Sequence, residues 1–437
     1  MNYLVLGNGA REHAICWALS KNSDVHVMPG NPGMVLDADI VSGNPMNFGE
    51  VASVAKKLSC SAVFAGAELP LVEGIADALA SEGIFVFGPS RKGAMLEGSK
   101  AFAKDFMKRN GIPCADHQTF DNEKEAMDFV SKHPFPLVIK VDGLASGKGV
   151  RIVEDLREAE IAIKAILSEK TYGESGRAIV IEEFLVGKEL TVMAFTDGKV
   201  AKMLPPSRDH KRLEDGDKGP MTGGMGSYCP VPDADSGLLE KIRTDIVEKT
   251  LVGLQKESID YKGVIYCGLM LTGEGPKVLE YNCRFGDPEA QVVLPMLQTP
   301  LSNVVEAVKE GELERLPIVA KKGFAACVVL ASEGYPGKPV VGLPVGGFNK
   351  AQTIENVLVF AAGIGGEPGK LVTSGGRVVS CVGLGSTLRI ALGRAYSLAG
   401  IVDFKGKQFR GDIGGRYARG RTSIVDLRLK IRPRGSI

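Results

Sequence analysis

The chain of 437 residues is too long for one compact core, so about two to four domains are expected. Its composition of 44% hydrophobic and 24% charged residues is typical of a globular protein rather than a disordered one. Lysine and arginine total 53 against 52 aspartate and glutamate, and this net charge of +1 excludes a global field that would attract nucleic acid.

Cysteine spacing and the first residues bear on the cellular compartment. The eight cysteines are scattered, without a C-x-x-C pair or a nearby histidine, which predicts neither a zinc site nor a disulfide framework. Met1 leads directly into an apolar segment without a basic stretch, so no secretion signal is predicted. No apolar run approaches the roughly 20 residues needed to span a bilayer. A cytoplasmic protein without a membrane partner is therefore expected.

The first 99 residues alternate short apolar runs with helical periodicity. The first run ends in a glycine turn at 7–9, and a helix is predicted directly after it. Strands are predicted at 3–6, 25–28, 62–65 and 84–87, and an intervening helix at 48–58. This alternation is typical of a parallel sheet covered by helices, so residues 1–99 are interpreted as an N-terminal α/β domain.

A second domain is predicted at 100–322, because the sequence pattern changes near residue 100. It begins with a helix at 99–108 and contains a lid subdomain at about 118–190. The lid's predicted elements are strands at 137–140, 149–153 and 178–185 and a helix at 155–168. A long polar, glycine-rich loop without periodicity is predicted between Leu204 and Tyr228. Strands return at 263–271 and 277–282.

A third region, at 323–416, is predicted to be an α+β domain. Strands are expected at 325–330 and 378–382 and a helix at 387–400. Residues 417–437 form a basic tail in which stacking aromatic residues are nearly absent. A frayed, solvated tail is therefore favoured over a nucleic-acid arm, and no nucleic-acid partner is expected.

A glycine-rich loop at 143–149 follows the strand that ends in Lys140. Glycines let the backbone fold closely around a phosphate, and lysines supply the opposite charge. The loop lacks the G-x-x-x-x-G-K-[ST] order of a P-loop. A plain turn is the alternative, but an ammonium at this position favours an anion beside it.

An acidic pair, Glu182 and Glu183, runs into Phe184 and Leu185, and Glu189 follows. The backbone at such a hinge can bind the edge of an adenine, and Glu189 could accept hydrogen bonds from ribose hydroxyls. The alternative is an exposed edge strand with solvated carboxylates.

Glu280 and Asn282 stand two positions apart on one predicted strand, so both side chains point to the same face. Two oxygen ligands suit a hard cation such as Mg²⁺, which also keeps substrate phosphates in its shell. Arg284, at the next position of that parity, would place a positive charge beside the cation. A plain solvated face is the alternative.

Several longer motifs accompany these residues. They are Gly7-Asn8-Gly9-Ala10-Arg11-Glu12-His13-Ala14, Leu96-Glu97-Gly98-Ser99-Lys100-Ala101-Phe102, Asp209-His210-Lys211-Arg212, Gly223-Gly224-Met225-Gly226, Asn282-Cys283-Arg284-Phe285-Gly286-Asp287-Pro288-Glu289, Gly375-Gly376-Arg377-Val378 and Arg410-Gly411-Asp412-Ile413-Gly414. Together with the predicted nucleotide residues they resemble the ATP-grasp ligases and, among these, the glycinamide ribonucleotide synthetases of purine synthesis. The resemblance runs from residue 1 to about 415.

The resemblance implies an α/β fold of ATP-grasp architecture: an N-terminal parallel-sheet domain, a central ATP-grasp domain with a small lid, and a C-terminal α+β domain. It implies that ATP and Mg²⁺ or Mn²⁺ are used to join glycine to 5-phosphoribosylamine through glycyl phosphate. The chain is expected to act as a monomer.

The resemblance also implies a role for particular residues. The proposed catalytic residues are Lys140, Asp209 and Arg284. The residues implied to bind ATP are Lys104, Lys140, Ser146, Gly147, Lys148, Gly149, Glu182, Glu183, Phe184, Leu185, Glu189 and Leu269. The residues implied to bind the amine substrate are Gly9, Asn31, Glu68, Gly224 and Asp287, and those implied to bind the cation are Glu280 and Asn282.

Three alternatives remain at this stage. Another ATP-grasp carboxylate–amine ligase, or a carboxylase, of purine or biotin metabolism would share the fold. A dehydrogenase would use Gly7 and Gly9, but Glu12 stands where its fingerprint needs a third glycine. An inactive binding protein of the same fold would lack the complete set of lysines and acidic residues.

Overall fold

The computed structural model describes residues 1–145 and 149–417. Predicted ATP residues Ser146, Gly147 and Lys148, and the predicted tail from residue 418 onward, lie outside the described residues. Within the described part of the chain, no helix has both the length and the apolar character needed to cross a membrane. The eight cysteines are all free, which confirms that they form no disulfide framework.

The N-terminal elements form a parallel sheet with strand order β3-β2-β1-β4-β5. Its first helix begins after Gly9, whose N–H donates to Glu12 Oε2 at 2.7 Å and so closes the first turn. This sheet confirms the predicted parallel architecture. Its elements are β1 Asn2–Gly7, α1 Ala10–Ser20, β2 Asp24–Pro29, β3 Asp39–Ile40, α2 Phe48–Lys57, β4 Cys60–Ala65, α3 Glu68–Val72, α4 Ile75–Ala80, β5 Val86–Phe87 and α5 Arg91–Gly98.

The next sheet is antiparallel, with strand order β6-β9-β7-β8. Its elements, with the helix that precedes them, are α6 Lys100–Arg109, β6 His117–Phe120, α7 Glu123–Val130, β7 Leu137–Val141, β8 Val150–Val153, α8 Leu156–Ile163 and β9 Ile179–Glu183. The predicted helix at 155–168 changes to π-helical geometry after Ile163. Strand β9 lies between β6 and β7, so the alternative of an exposed edge strand at Glu182 and Glu183 is wrong.

A second antiparallel sheet has the order β11-β10-β16-β17. Its strands are β10 Lys188–Thr196, β11 Ala201–Met203, β16 Gly263–Thr272 and β17 Gly275–Asn282. Helices α9 Ser236–Ile242, α10 Lys249–Lys256, α11 Ala290–Met296 and α12 Leu301–Glu310 accompany it. Strand β17 ends at Asn282, so the prediction that Arg284 continues its alternation is wrong.

The stretch between Leu204 and Tyr228 is not the structureless loop that the sequence predicted. It contains β12 Arg208–Asp209, β13 Arg212–Glu214, β14 Lys218–Met221 and β15 Gly226–Cys229. Strands β13 and β14 form a hairpin, whereas β12 and β15 extend the C-terminal sheet, whose order is β12-β15-β18-β22-β19. The remaining elements are β18 Phe324–Ala331, α13 Phe348–Ala351, β19 Val357–Ala361, β20 Ile364–Glu367, β21 Lys370–Thr373, β22 Arg377–Gly385 and α14 Leu388–Ile401.

The unit between residues 120 and 181 has a hydrophobic core of its own. Phe120, Val130, Ile139, Ile163 and Ile181 are among the buried residues of this cluster, which is separate from the clusters of the rest of the molecule. A unit that is stabilised by its own core can change orientation as one body. The predicted lid covers this unit, and its movement stays a prediction.

Candidate active site

Two lysines meet one buried carboxylate between helix α6 and the sheet of β7 and β9. Lys104 Nζ lies 2.9 Å from Glu182 Oε2, and Lys140 Nζ lies 2.9 Å from Glu182 Oε1. Burial raises the pKa of Glu182, but the two lysines outweigh it and hold this pKa below its usual value. Burial lowers the pKa of Lys104. Two ammonium groups around one carboxylate leave a positive surplus, which suits a phosphate.

The predicted phosphate loop is tied to the start of α6. Asp142 Oδ1 accepts hydrogen bonds from Ser99 Oγ and from the N–H of Ala101, both at 2.8 Å. The two described ends of the loop are closely packed, since a Cβ on Gly143 would lie 2.8 Å from Ser175 and one on Gly149 would lie 2.7 Å from Ala145. Asp142, which directly precedes the loop, is therefore bonded to the start of the helix that carries Lys104.

The predicted adenine hinge follows β9. The Glu183 carboxylate accepts the N–H of Asp116 at 3.1 Å and pairs with Lys277 at 3.2 Å, so it holds the hinge to neighbouring segments. Leu185 is buried and Phe184 is partly exposed. A cavity of about 890 Å³ is lined by the hinge and by the segment that leads into β6, but the proposed cation residues do not line it.

The predicted ribose and cation residues lie on the sheet of β10, β16 and β17. Glu189 is the second residue of β10, Glu280 lies near the end of β17, and the buried Leu269 lies on β16 between these strands. Lys211 Nζ lies 3.4 Å from Glu189 Oε2 and 3.4 Å from Glu280 Oε1. The structure therefore brings these carboxylates to one ammonium group.

The donors at the end of β17 suit a hard cation. Glu280 and Asn282 are two residues apart on the strand, and both are only partly buried. Lys211 lowers the pKa of Glu280 to about 2 against the effect of burial, so this carboxylate is ionised at neutral pH. An ionised carboxylate and an amide oxygen on one accessible face match the few protein ligands that Mg²⁺ takes.

Asp209 lies on β12 behind these residues, paired with Ser227 of β15. Burial raises the pKa of Asp209 well above its usual value; Lys211 opposes this effect, and Glu289 adds to it. Glu289 accepts a 2.7 Å hydrogen bond from the Tyr266 hydroxyl. Asp209 therefore belongs to a buried acidic group, and Lys211 is its neighbouring cation.

Arg284 is held by two carboxylates from the N-terminal part of the chain. Its Nη2 lies 2.5 Å from Glu97 Oε1, its Nε lies 3.3 Å from Glu68 Oε2, and its Nη1 donates to Phe285 O. The strand ends two residues earlier, which frees this side chain to turn toward α3 and α5. The contacts of Arg284 thus join the segment after β17 to helices α3 and α5. Its predicted role in holding the transferring phosphoryl group stays a prediction.

Three of the predicted amine-substrate residues lie together. A Cβ on Gly9 would lie 3.9 Å from Asp287 Oδ2, and one on Gly224 would lie 3.4 Å from Asp287 O. Gly224 has a φ of +112° and packs directly against Pro288, so a side chain there would be strained. Gly9 and Gly224 thus both lie close to Asp287.

Asn31 and Glu68 are engaged in contacts within the chain. The Asn31 amide donates to the carbonyl oxygens of Asn8, Ala361 and Ala362 at 2.8, 3.3 and 3.3 Å. Its oxygen accepts the N–H of Gly33, so Asn31 joins the first sheet to the end of β19. Glu68 pairs with Arg284, which lowers the pKa of Glu68 in spite of burial.

Comparison with known proteins decides the family. Three family models match the chain: phosphoribosylglycinamide synthetase N domain at 1–97, ATP-grasp (A) domain at 98–290 and C domain at 325–416. The phosphoribosylamine–glycine ligase of Caldanaerobacter subterraneus is 41% identical over 420 residues, which cover 95% of this chain and all of that protein. The chain belongs to the phosphoribosylglycinamide synthetase family. This family includes an ATP-grasp domain, so the predicted ATP-grasp architecture is confirmed.

A solved phosphoribosylamine–glycine ligase of Thermotoga maritima is also similar to this synthetase-family chain. The TM-score is 0.81 at 39% identity, and the match covers 94% of this chain and all of that structure. The trifunctional purine biosynthetic protein adenosine-3 of Gallus gallus is 44% identical over 420 residues. This chain spans 42% of the length of that relative. Membership of the family favours the ligase interpretation over the dehydrogenase that Gly7 and Gly9 alone could indicate.

Several residues of this phosphoribosylglycinamide synthetase family member were not assigned a role from the sequence. Arg377 Nη2 lies 2.9 Å from Asp287 Oδ2, and its Nη1 donates to the carbonyl oxygens of Gly223 and Asp287 at 2.6 and 2.9 Å. Lys211 contacts Glu189 and Glu280, as described above. Lys211 lies in the motif Asp209-His210-Lys211-Arg212 and Arg377 in Gly375-Gly376-Arg377-Val378, and these motifs are the sequence signal for both residues.

Proposed function

We propose that this chain uses ATP to join glycine to 5-phosphoribosylamine, giving glycinamide ribonucleotide, ADP and phosphate. The observation that carries the proposal is the buried group of Lys104, Lys140 and Glu182, which has a positive surplus. The ionised Glu280 adds a cation ligand to this group. Glu280 lies on β17, and the carbonyl oxygen of Leu279 on the same strand accepts a hydrogen bond from Lys140 Nζ. The full-length relatives named above support glycine and phosphoribosylamine as the substrates.

Each predicted ATP residue has a proposed place in this reaction. The lysines and the loop at 143–149 would hold the phosphates, the hinge from Glu182 to Leu185 and the buried Leu269 would hold the adenine, and Glu189 the ribose. Mg²⁺ or Mn²⁺, when bound by Glu280 and Asn282, offsets negative charge on the phosphates. The amine substrate would lie where Gly9, Gly224 and Asp287 meet, with Asn31 and Glu68 at its edge.

The chemistry needs no nucleophilic side chain. A carboxylate oxygen of glycine attacks the γ-phosphorus and ADP leaves, which gives glycyl phosphate. The neutral amine of phosphoribosylamine then attacks its carbonyl carbon, and phosphate leaves with loss of an amine proton. Lys104 and Lys140 offset the charge that gathers on the phosphoryl oxygens, while Arg284 and Asp209 are proposed to order the site around them.

Phosphate release tests this proposal directly. We expect release to require glycine and phosphoribosylamine together, and release that ignores glycine would contradict the assignment. The variant Glu280→Gln should lose about 10- to 100-fold in turnover, because it replaces a charged carboxylate ligand of the cation by a neutral amide. Glu274→Gln is the matched control, since Glu274 is exposed in the turn before the same strand. Equal turnover of the two variants would remove Glu280 from the site.

Further parts of the proposal concern domains, location and assembly. We propose domains at 1–99, 100–322 and 323–416, with the unit at 118–190 acting as a lid that excludes water during the reaction. We also propose a monomer in the cytoplasm, where free thiols such as the eight of this chain persist. Sedimentation of the purified chain tests the monomer.

A further inference from the structure

Asp142 joins two bodies of the molecule: the lid unit, which is the unit between residues 120 and 181, and helix α6 outside it. Val141, directly before Asp142, is buried in the core of the lid unit, whereas Phe106 of α6 is buried in a core cluster outside this unit. The N–H of Asp142 donates to Ala178 O at 3.1 Å, within the lid unit. Asp142 is thus a residue of the lid unit that contacts a helix of the other body.

Three hydrogen bonds fasten Asp142 to the start of α6. Ser99 Oγ and the N–H of Ala101 donate to Asp142 Oδ1, both at 2.8 Å, and the N–H of Lys100 donates to Asp142 O at 2.9 Å. The first N–H groups of a helix have no partner within the helix and lie at the positive end of its dipole, so a carboxylate is favourable there. Ser99 Oγ also accepts the N–H of Phe102 at 3.0 Å, so the same hydroxyl group caps α6 and binds Asp142.

This contact lies at the end of β7 that is far from the hinge. The register pairs Leu137 with Glu183, which belongs to the hinge, and pairs Val141 with Ile179. Asp142 directly follows Val141, so about 15 Å of strand separate it from the hinge at roughly 3.3 Å per residue. The lid unit is therefore attached at both ends of β7, by the hinge at one end and by Asp142 at the other.

The two lysines of the proposed phosphate site depend on both attachments. Lys140 lies on β7 two positions before Asp142, and Lys104 lies on α6 three positions after Ala101. Because Lys140 is nearer to the far end of β7, a turn of the lid unit about the hinge would move Lys140 away from Lys104. A phosphate can contact both ammonium groups when the far end of the lid unit is held at α6.

We propose that Asp142 is a positioning residue for ATP, which fastens the far end of the lid unit to the start of α6 and so holds Lys140 beside Lys104. This inference rests on the proposed function, because it assigns the two lysines to the nucleotide phosphates. Asp142 acts through β7 and touches no reacting atom. The motif at 96–102 supplies all three donors, which gives this motif a part in the site.

ATP affinity tests the proposal without turnover. Asp142→Ala removes the acceptor of two hydrogen bonds, and we expect the Kd for ATP to rise about tenfold, as for one lost hydrogen bond to a charged group. Asp142→Asn keeps an oxygen that can accept both bonds, so its Kd should stay within about threefold of the wild type. Isothermal titration calorimetry without glycine and phosphoribosylamine measures both values. The KM for phosphoribosylamine, whose proposed site lies on other elements, should not change.

Asp155→Ala is the matched control, because Asp155 is a helix cap within the same lid unit. Its Oδ1 accepts the N–H of Glu158 at 2.8 Å, a bond that stays inside the unit. This variant should lower the melting temperature without changing the Kd for ATP. If Asp142→Ala did the same, Asp142 would only stabilise the fold and the proposal would be overturned.

Ser99→Ala provides a second, independent variant. It removes one donor to Asp142, and we expect the Kd for ATP to rise about threefold or more. Combined with Asp142→Ala, its effect should be less than additive, because both substitutions remove the same hydrogen bond. Fully additive effects would contradict the contact between the two residues. If Asp142→Ala does not fold by its melting curve, an unchanged Kd in Ser99→Ala overturns the proposal.

Amide hydrogen exchange of the ligand-free chain tests the attachment itself. Residues 99–103 should exchange faster in Asp142→Ala than in Asp155→Ala, and equal exchange would mean that other contacts hold the start of α6. The two proposals fail in different ways. If the wild-type chain binds ATP but releases no phosphate with glycine and phosphoribosylamine, the proposed function fails, and the ATP affinities still decide the role of Asp142. An equal Kd for Asp142→Ala and an active wild type overturns the role of Asp142 alone.

Discussion

At the scale of single residues, Glu182 holds two ammonium groups in place. Its carboxylate lies 2.9 Å from Lys104 Nζ and 2.9 Å from Lys140 Nζ, and it is almost completely buried. A buried charge is costly unless it is paired, and here the lysines keep the pKa of Glu182 below its usual value. The residue that was predicted to be part of an adenine hinge therefore also organises the two lysines of the proposed phosphate site.

Removing this carboxylate should cost much more than removing an exposed one. Glu182→Gln keeps the shape but leaves the two lysines without their partner, and we expect a loss of about 3–5 kcal/mol in the free energy of unfolding. Glu82→Gln removes an exposed, solvent-screened partner of Lys56 and should change the free energy of unfolding very little. Urea denaturation of both variants measures the difference. Similar losses would mean that the buried group is not stabilised by Glu182.

His210 makes stability depend on pH. Burial, and then Arg410, lower its pKa to about 4, and Gly414 N–H donates to its Nε2 at 3.4 Å. Because the folded pKa lies below the unfolded value of about 6.5, the stability from neutral His210 is complete above pH 6.5 and is lost as pH falls to 4. Relative to His210→Gln, the wild type should lose about 1.4 kcal/mol per pH unit in this window. Urea denaturation of both chains at several pH values measures this difference. If the denaturation midpoints of the two chains changed equally with pH, the prediction would be contradicted.

At the scale of elements, the hairpin of β13 and β14 is fastened by the C-terminal segment. The buried Arg410 pairs with Asp412 and with Asp217, both at 2.7 Å, and donates to Arg212 O. This segment follows α14, so the last described elements of the chain hold the loop that presents Lys211. The motif from Arg410 to Gly414 thus supports the hairpin that adjoins the proposed active site.

Loss of this contact should loosen the hairpin. Arg410→Met removes both ion pairs, and we expect faster amide hydrogen exchange in residues 212–221 and a lower kcat for phosphate release. Arg389→Met, at an exposed position of α14, is the matched control and should leave the exchange of 212–221 unchanged. Unchanged exchange in Arg410→Met would show that other contacts hold the hairpin.

The sequence predicted long periodic elements well and short paired ones poorly. Strands β1, β7, β16 and β17 lie within a few residues of their predicted positions, because their apolar patterns are local signals. Strands β12 and β15 were predicted as loop, since they are two and four residues long and their pairing depends on distant residues such as Val328. The proposed site residues were predicted through motifs, but their mutual contacts could not be predicted.

At the scale of the whole molecule, three parts of the chain meet at residues 283–289. Arg284 pairs with Glu97 across 187 positions of sequence, and the N–H of Cys283 donates to the same carboxylate. Arg377 reaches Asp287 across 90 positions. Such long-range contacts carry no local signal, so the sequence identified the motif without its role as a junction.

Arg377 should couple the C-terminal domain to the amine-substrate site without affecting nucleotide binding. It spans Asp287 and the carbonyl oxygen of Gly223 with a planar fork, which a single lysine ammonium cannot reproduce. If the proposed function holds, Arg377→Lys should raise KM for phosphoribosylamine about tenfold, the change expected from one lost hydrogen bond to a charged group. The Kd for ATP should not change, because Lys104 and Lys140 lie on other elements. Arg389→Lys is the control, and a loss of ATP affinity equal to the change in KM would mean that Arg377 supports the whole molecule rather than this site.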